Sequence, residues 1–326
     1  MKAEIVTNPL DNPVIIPVIT VLTLLFSLGG MALALVSLRQ KQLEVTGGGT
    51  IAAGRTPRHV LWQRYRTWLI IAFVYGGAAL CGALTTAAMV AFIIWQGIAE
   101  YAKLFSLPKM HQYLAVLCGW LTLILVLVGG STEIVIAPAI AFFFWAFVAL
   151  LPLKGEHELK ERFMAASSGF SAYLYAGWLP AHLLALETGQ RPGLTLAIGL
   201  GVALSDIGAF CGGKTLRGPK LSPKLSPNKT WGGVVGNLMG AGIAIALFSF
   251  ALTGMAWWLL FLLSLGIAVG SVCGDLFESL LKRQSGVKDA GNFLPGFGGL
   301  LDRIDSLLFV APLVFYLSRL ETLIGL

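Results

Sequence analysis

Apolar residues in this chain come in runs of about twenty, and polar residues gather between the runs. A run of that length, apolar on every side, spans the hydrocarbon core of a bilayer when wound as a helix. The alternation of a membrane β-barrel is not the pattern here. The runs predict ten spans: Val14–Leu38, about 67–83, about 86–104, Lys109–Val128, Glu133–Leu153, Gly169–Leu186, Thr195–Cys211, Trp231–Leu252, Ala256–Leu281 and Ile304–Leu320. The second and third divide one stretch, Thr67–Leu104, that is too long for a single straight span. Gly76-Gly77, Gly82 and Thr85-Thr86 offer the break. Gly232, Gly236 and Gly240 form a stripe of small residues that suits a close helix contact. The fold class is therefore an all-α polytopic membrane protein, with a polar cavity expected at its cytoplasmic face.

The segments between the runs divide the chain. Arg39–Arg66 is basic and Gly-rich, with three glycines at 47–49. No strand precedes it and it lacks the G-K-[ST] of a phosphate loop, so it reads as a flexible linker. With the first span it makes an N-terminal unit, residues 1–66, ahead of a main membrane domain, 67–326. Lys2 is opposed by Glu4 and Asp11, and the run that follows is longer than a signal peptide's, so the first span reads as retained. Lys154–Arg162 is a mixed-charge interfacial helix or loop. Gly212–Lys229 carries five cations, no acids, three prolines and three glycines, which precludes a regular helix.

Composition agrees with a membrane protein. The chain has 326 residues, of which 56% are hydrophobic and 12% charged. Its mean hydropathy is +0.81. The net charge of +7 falls in loops without interleaved aromatics, so no nucleic-acid partner is expected. Cys81, Cys118, Cys211 and Cys273 lie singly in apolar runs, and the four histidines are scattered, which leaves no zinc pattern. With the N-terminus outside, ten spans leave all the Lys and Arg residues inside except Lys2, Arg191 and Arg319. This positive-inside bias places both termini outside and puts the 212–230 and 282–303 segments in the cytoplasm.

Those segments flank acids that sit in or beside apolar runs. A carboxylate at the centre of a span costs roughly 2.5–3.5 kcal/mol on insertion scales, so each is a functional candidate. Asp206 lies near the inner end of the seventh span, Asp275 and Glu278 near that of the ninth, and Asp302 and Asp305 enter the tenth. On a helix Asp275, Ser279 and Lys282 share one face, as do Asp302 and Asp305. Around them stand Lys214, Lys220, Lys224, Lys229, Lys282, Arg283, Lys288 and Arg303. Carboxylates hold magnesium, and ammonium and guanidinium groups hold phosphate oxygens, so the set suits a magnesium-bound triphosphate. For Glu278, a structural ion pair is as good a reading as a functional one.

Two ordered motifs carry a family resemblance. Ser279 to Asp305 reads S-L-L-K-R-x4-K-D-x-G-x2-L-P-G-x-G-G-x2-D-R-I-D, and Lys220 to Gly233 reads K-L-S-P-K-L-S-P-N-K-T-W-x-G, with Ser205-Asp206 upstream. From about Arg66 onward the chain resembles the phosphatidate cytidylyltransferases, the CDP-diacylglycerol synthases. The resemblance implies transfer of CMP from CTP to phosphatidic acid or a close phospholipid, release of pyrophosphate, and a requirement for magnesium, with a second ion left open. It implies that Asp275, Asp302 and Asp305 ligate metal, with Lys282 beside them in catalysis. It implies contacts to nucleotide or lipid phosphate from Asp206, Lys214, Lys224, Ser226, Lys229, Thr230, Ser279, Arg283, Lys288 and Arg303. It also implies a place in a bacterial-type inner membrane. The chain departs from the family in two ways. Phe297 stands in P-G-F-G-G where the family usually has histidine, and residues 1–65 add a span, which together suggest a paralogue.

Other readings stay open at this point. One is a CTP-dependent lipid kinase, which would need a base for an alcohol. Another is a non-catalytic relative that regulates or scaffolds lipid synthesis. A transporter would spread its acids along a path; here they gather at one face. The small-residue stripes permit a homodimer without requiring one.

Overall fold

The computed structural model describes residues 13–45, 58–151, 158–189, 193–287, 289–294 and 298–321, with backbone alone for 40–45 and 58. Among these residues there are eleven α-helices: α1 Ile15–Val45, α2 Arg58–Leu80, α3 Ala83–Leu104, α4 Lys109–Gly129, α5 Ala137–Leu150, α6 Leu159–Ala172, α7 Leu179–Glu187, α8 Gly193–Thr215, α9 Trp231–Leu247, α10 Trp257–Gln284 and α11 Leu301–Leu317. Five of them, α1, α3, α4, α8 and α10, are long and apolar enough to cross a membrane.

The break expected in the 67–104 stretch falls at Cys81-Gly82, where Gly82 takes φ 101°. Ala78's carbonyl, left without a helical partner, accepts from the hydroxyls of Thr85 at 2.7 Å and Thr86 at 3.1 Å. Some other boundaries moved outward and some inward, the fifth span shortening to Ala137–Leu150 and the eighth to Trp231–Leu247. Charged and polar residues at the ends continue a helix into the interface, so α1 runs to Val45 and α2 begins at Arg58 rather than Thr67. The mixed-charge segment is in part helical: α6 starts at Leu159 and passes through one π-helical stretch, Tyr173–Trp178, into α7. Pro180 at the start of α7 has no N–H to donate to the turn before it, and that turn widens.

One feature departs from an all-α chain. Within the basic 212–229 segment, Lys220–Ser222 (β1) and Ser226–Thr230 (β2) pair antiparallel. Pro cannot donate to a ladder, and Pro223 and Pro227 leave this hairpin short.

The bundle's tightest contact is α8 on α9. The stripe expected to make a close contact does so: a Cβ on Gly232, Gly236 or Gly240 would overlap the backbone carbonyl of Arg217, Gly208 or Leu204. The second is α10 on α11, where a Cβ on Gly274 would overlap the carbonyl of Asp305. Tyr65 ties α2 to α1 through the Phe26 carbonyl at 2.8 Å, and Tyr75 ties α2 to α8 through that of Thr195 at 2.6 Å. Large apolar side chains face outward over much of the bundle, including Phe73, Val128, Phe143 and Trp257. A lipid-facing surface needs that; an aqueous one would not tolerate it.

Candidate functional site

Four helices and the hairpin meet at a polar cleft of about 210 Å³. Asp206 comes from α8, Lys229 from β2, Asp275, Glu278, Ser279 and Lys282 from α10, and Asp302, Arg303 and Asp305 from α11, while Trp68 of α2 supplies an aromatic wall. Gly274 explains the closeness of the acids: lacking a Cβ, it lets α10 approach α11 at Asp305, and Asp275 is the next residue. The carboxyl of Asp275 then stands against that of Asp305, with Asp206 nearby.

The charges fall into two groups. In the first, Lys229 Nζ donates to Asp275 Oδ2 at 2.6 Å. Ser271 Oγ donates to Asp206 Oδ1 at 3.2 Å, the Ser306 amide to Asp305 Oδ1 at 2.8 Å, and Ser306 Oγ to Asp275 Oδ1 at 3.4 Å. In the second, Lys282 Nζ pairs with both Glu278 and Asp302, the latter at 2.9 Å. Asp302 Oδ2 also accepts from the amides of Ala290 at 2.9 Å and Gly299 at 2.7 Å. Asp302 thus ties α11 to α10 and to the loop between them, and its oxygens are taken by protein donors. The family resemblance implies a metal at this carboxylate; among the described residues its oxygens have three protein partners, Lys282 and the two amides. Glu278, weighed equally between structure and function, is buried with one oxygen on Lys282 and the other without a hydrogen bond among the described residues.

Sequence reasoning passed over Glu100. It is 1% exposed, and its two oxygens accept from the Leu300 amide at 2.9 Å and the Leu301 amide at 2.8 Å. Those amides open α11, whose N-cap residue, Leu300, provides no side-chain cap. A carboxylate there satisfies orphan donors and complements the helix dipole. Gln96 holds Oε1 from one turn earlier at 2.9 Å. The signal was available, since Glu100 is an acid inside the apolar 86–104 run. Trp68 had no such signal: an indole in an apolar run looks like any lipid-facing aromatic.

Of the other expected contacts, several lie off the cleft. Lys214 is eight residues beyond Asp206, about 12 Å further along α8, and rests over the Phe210 ring at 4.0 Å. Arg283 is exposed because it sits a step of about 100° round α10 from Lys282. Lys224 is exposed at the hairpin turn. Ser226 is half-buried in β2 outside the cleft lining. Thr230 caps α9, accepting from the Gly233 amide at 3.2 Å. Lys288 and Phe297 lie outside the described residues.

Among the described residues no three of His, Cys, Asp and Glu form a ready-made metal cage. Magnesium seldom uses one; it takes one or two carboxylates and fills its shell with water and substrate phosphate. Asp275 and Asp305 facing each other beside Asp206 fit that mode, because like charges held together want a divalent ion between them.

The fold and the cleft define a class: a helical membrane protein that gathers acids and lysines where helix ends meet a basic hairpin. Comparison narrows the class. The sequence model of the cytidylyltransferase family matches residues 62–320, and the chain belongs to that family. It is 41% identical over 125 residues to the phosphatidate cytidylyltransferase of Rickettsia bellii, a match covering 35% of this chain and 53% of that protein. With the enzyme of the same name from Brucella suis it shares 39% over 143 residues, covering 43% and 53%. With that of Bacillus subtilis it shares 37% over 179 residues, covering 53% and 66%. The chain thus spans about half the length of the first two relatives.

Proposed function

We propose that this protein transfers CMP from CTP to phosphatidic acid, or to a close phospholipid phosphate, at the cytoplasmic face of a bacterial-type inner membrane. The observation that carries the reading is the meeting of Asp206, Asp275 and Asp305 with Lys229, Lys282 and Arg303 in one cleft at the membrane domain's basic end. The names of the relatives support the substrates, and the acids support magnesium.

A lipid phosphate oxygen attacks the α-phosphorus of CTP, forming a new P–O bond. The bond from the α-phosphorus to the β-bridging oxygen breaks, and its electron pair leaves on pyrophosphate. A phosphate monoester has a second pKa near 6, so it is mostly dianionic at neutral pH and needs no general base. The task is orientation and charge neutralisation. Asp275 and Asp305, with Asp206 beside them, would hold magnesium, which would supply the positive charge that offsets the phosphates. Lys229 and Arg303 face the same space and suit the departing pyrophosphate. Lys282, clamped by Glu278 and Asp302, fixes the wall of the cleft while leaving its remaining donor capacity for phosphate. The buried acids and the lipid-facing helices let one substrate come from water and the other from the bilayer.

The test is transfer of label from α-labelled CTP into a lipid-phase product by the purified protein in detergent micelles. Product that depends on phosphatidic acid and magnesium supports the proposal. Absence of product, with a histidine-containing relative active in the same micelles, overturns it.

A further inference from the structure

We infer that Lys229 holds the place of the divalent cation at Asp275 and gives it up when the metal arrives with its nucleotide. The inference rests on the reading of the cleft as a metal–phosphate site and adds an order of events to it.

Three carboxyl groups, Asp206, Asp275 and Asp305, are gathered where α8, α10 and α11 meet, and the Lys229 ammonium lies 2.6 Å from Asp275 Oδ2. A metal ligated by that oxygen and the ammonium that now bonds it cannot share the same side of the carboxylate. One must leave. The backbone around Lys229 is braced against moving. The amides of Trp231 and Gly232 donate to the carbonyls of Pro219 at 3.1 Å and Arg217 at 2.9 Å, and Thr230 caps the next helix. The side chain itself is free to swing: a lysine's four-carbon stem has many rotamers and its head is a point charge, and the Lys229–Asp275 pair is about one-quarter to one-third exposed. Lys282 is a different case. It is held between two acids, of which Asp302 is only 2% exposed, so it has no comparable exit.

Displaced from Asp275, the Lys229 ammonium remains beside the cleft, where a polyphosphate is the nearest new partner. The exchange has two consequences. Without nucleotide, Lys229 competes with the metal, so the protein binds free divalent cation weakly. With nucleotide, the phosphates compensate the ammonium, so metal and nucleotide bind with positive coupling. Coupling of this kind is reciprocal and commonly amounts to a five- to 150-fold change in affinity, about tenfold at the lower end of that range.

The experiment is Mn²⁺ binding, followed by electron paramagnetic resonance, to the purified protein in detergent without nucleotide. Lys229→Met is expected to bind Mn²⁺ about tenfold more tightly than the unaltered protein. Lys229→Arg, which keeps the charge, is expected to match the unaltered protein, and Asp275→Asn to bind more weakly. Adding a non-hydrolysable α,β-methylene analogue of CTP should tighten Mn²⁺ binding strongly in the unaltered protein and less in Lys229→Met. Thermal unfolding of each variant shows that the fold is kept; should Lys229→Met not fold, Lys229→Gln takes its place. Mn²⁺ affinity unchanged or weaker in Lys229→Met, with clear binding to the unaltered protein, overturns the exchange while leaving the metal site standing. No Mn²⁺ binding to any of the proteins, with or without the analogue, overturns both.

Discussion

Replacing Asp302 by Asn separates anchoring from metal binding. Asp302 Oδ2 accepts from the Ala290 and Gly299 amides at 2.9 and 2.7 Å, and Oδ1 from Lys282 at 2.9 Å. Asn can keep its oxygen on the two amides, so the loop stays in place. Its NH₂ then faces the Lys282 ammonium, donor against donor. The lost interaction is a charge-assisted hydrogen bond, about 1.5–3 kcal/mol. The Lys282 side chain is only 17% exposed and keeps Glu278, so little of that is recovered from water and the ion pair is not wholly lost. If the loss falls on the alignment of Lys282 in the transition state, the rate drops about 10- to 150-fold, at 1.4 kcal/mol per decade. The assay is cytidylyl transfer from labelled CTP at a series of magnesium concentrations, with thermal unfolding alongside. The expected result is a protein that folds and inserts, turns over at least tenfold more slowly, and half-saturates with magnesium within about twofold of the unaltered protein. Turnover equal to the unaltered protein would remove Lys282–Asp302 from the chemistry. A large rise in half-saturating magnesium would show that Asp302 does ligate the metal.

Glu100→Gln is expected to leave one α11 amide without its acceptor, lowering stability by about 1–3 kcal/mol and slowing transfer, and Glu100→Ala to do more; thermal unfolding in detergent compared with turnover checks both. Gly274→Ala must push α10 from α11 at the Asp305 carbonyl, an overpacking cost of about 1–3 kcal/mol, and its activity should fall further than its stability because Asp275 and Asp305 move apart. Phe297→His is expected to retain or raise transfer activity, because the resemblance drawn from the sequence implies histidine between those glycines; complete loss would give Phe297 a role of its own.

The sequence went furthest where a single residue type in the wrong solvent carries the message. Asp206, Asp275 and Asp305 stand out from apolar runs, and a carboxylate in hydrocarbon has to be answered by a partner wherever it lies. Their common depth was legible from the ends of the runs, and the cleft does collect all three. The cations were harder. A lysine in a loop has no pattern that fixes its direction, so Lys229 in the cleft and Lys214 on Phe210 read alike along the chain. The hairpin was hidden because prolines argue against both helix and ladder, yet one short strand fits between Pro219 and Pro223 and the other takes Pro227 within it.

By itself, then, the sequence determined the membrane-spanning helical class, the break near Gly82, the glycine stripe of α9 and the acids that gather at one end, because periodicity, length and misplaced charge are local properties. Only the tertiary structure decided which donors those acids meet. Asp302 is given to Lys282 and two amides, Asp275 to Lys229, and Glu100 to the first turn of a helix two hundred residues away. Those pairings depend on how closely α10 packs on α11 and α3 reaches the loop between them. That closeness is set by side chains from distant parts of the chain meeting in one place, which no reading of neighbours along the sequence contains.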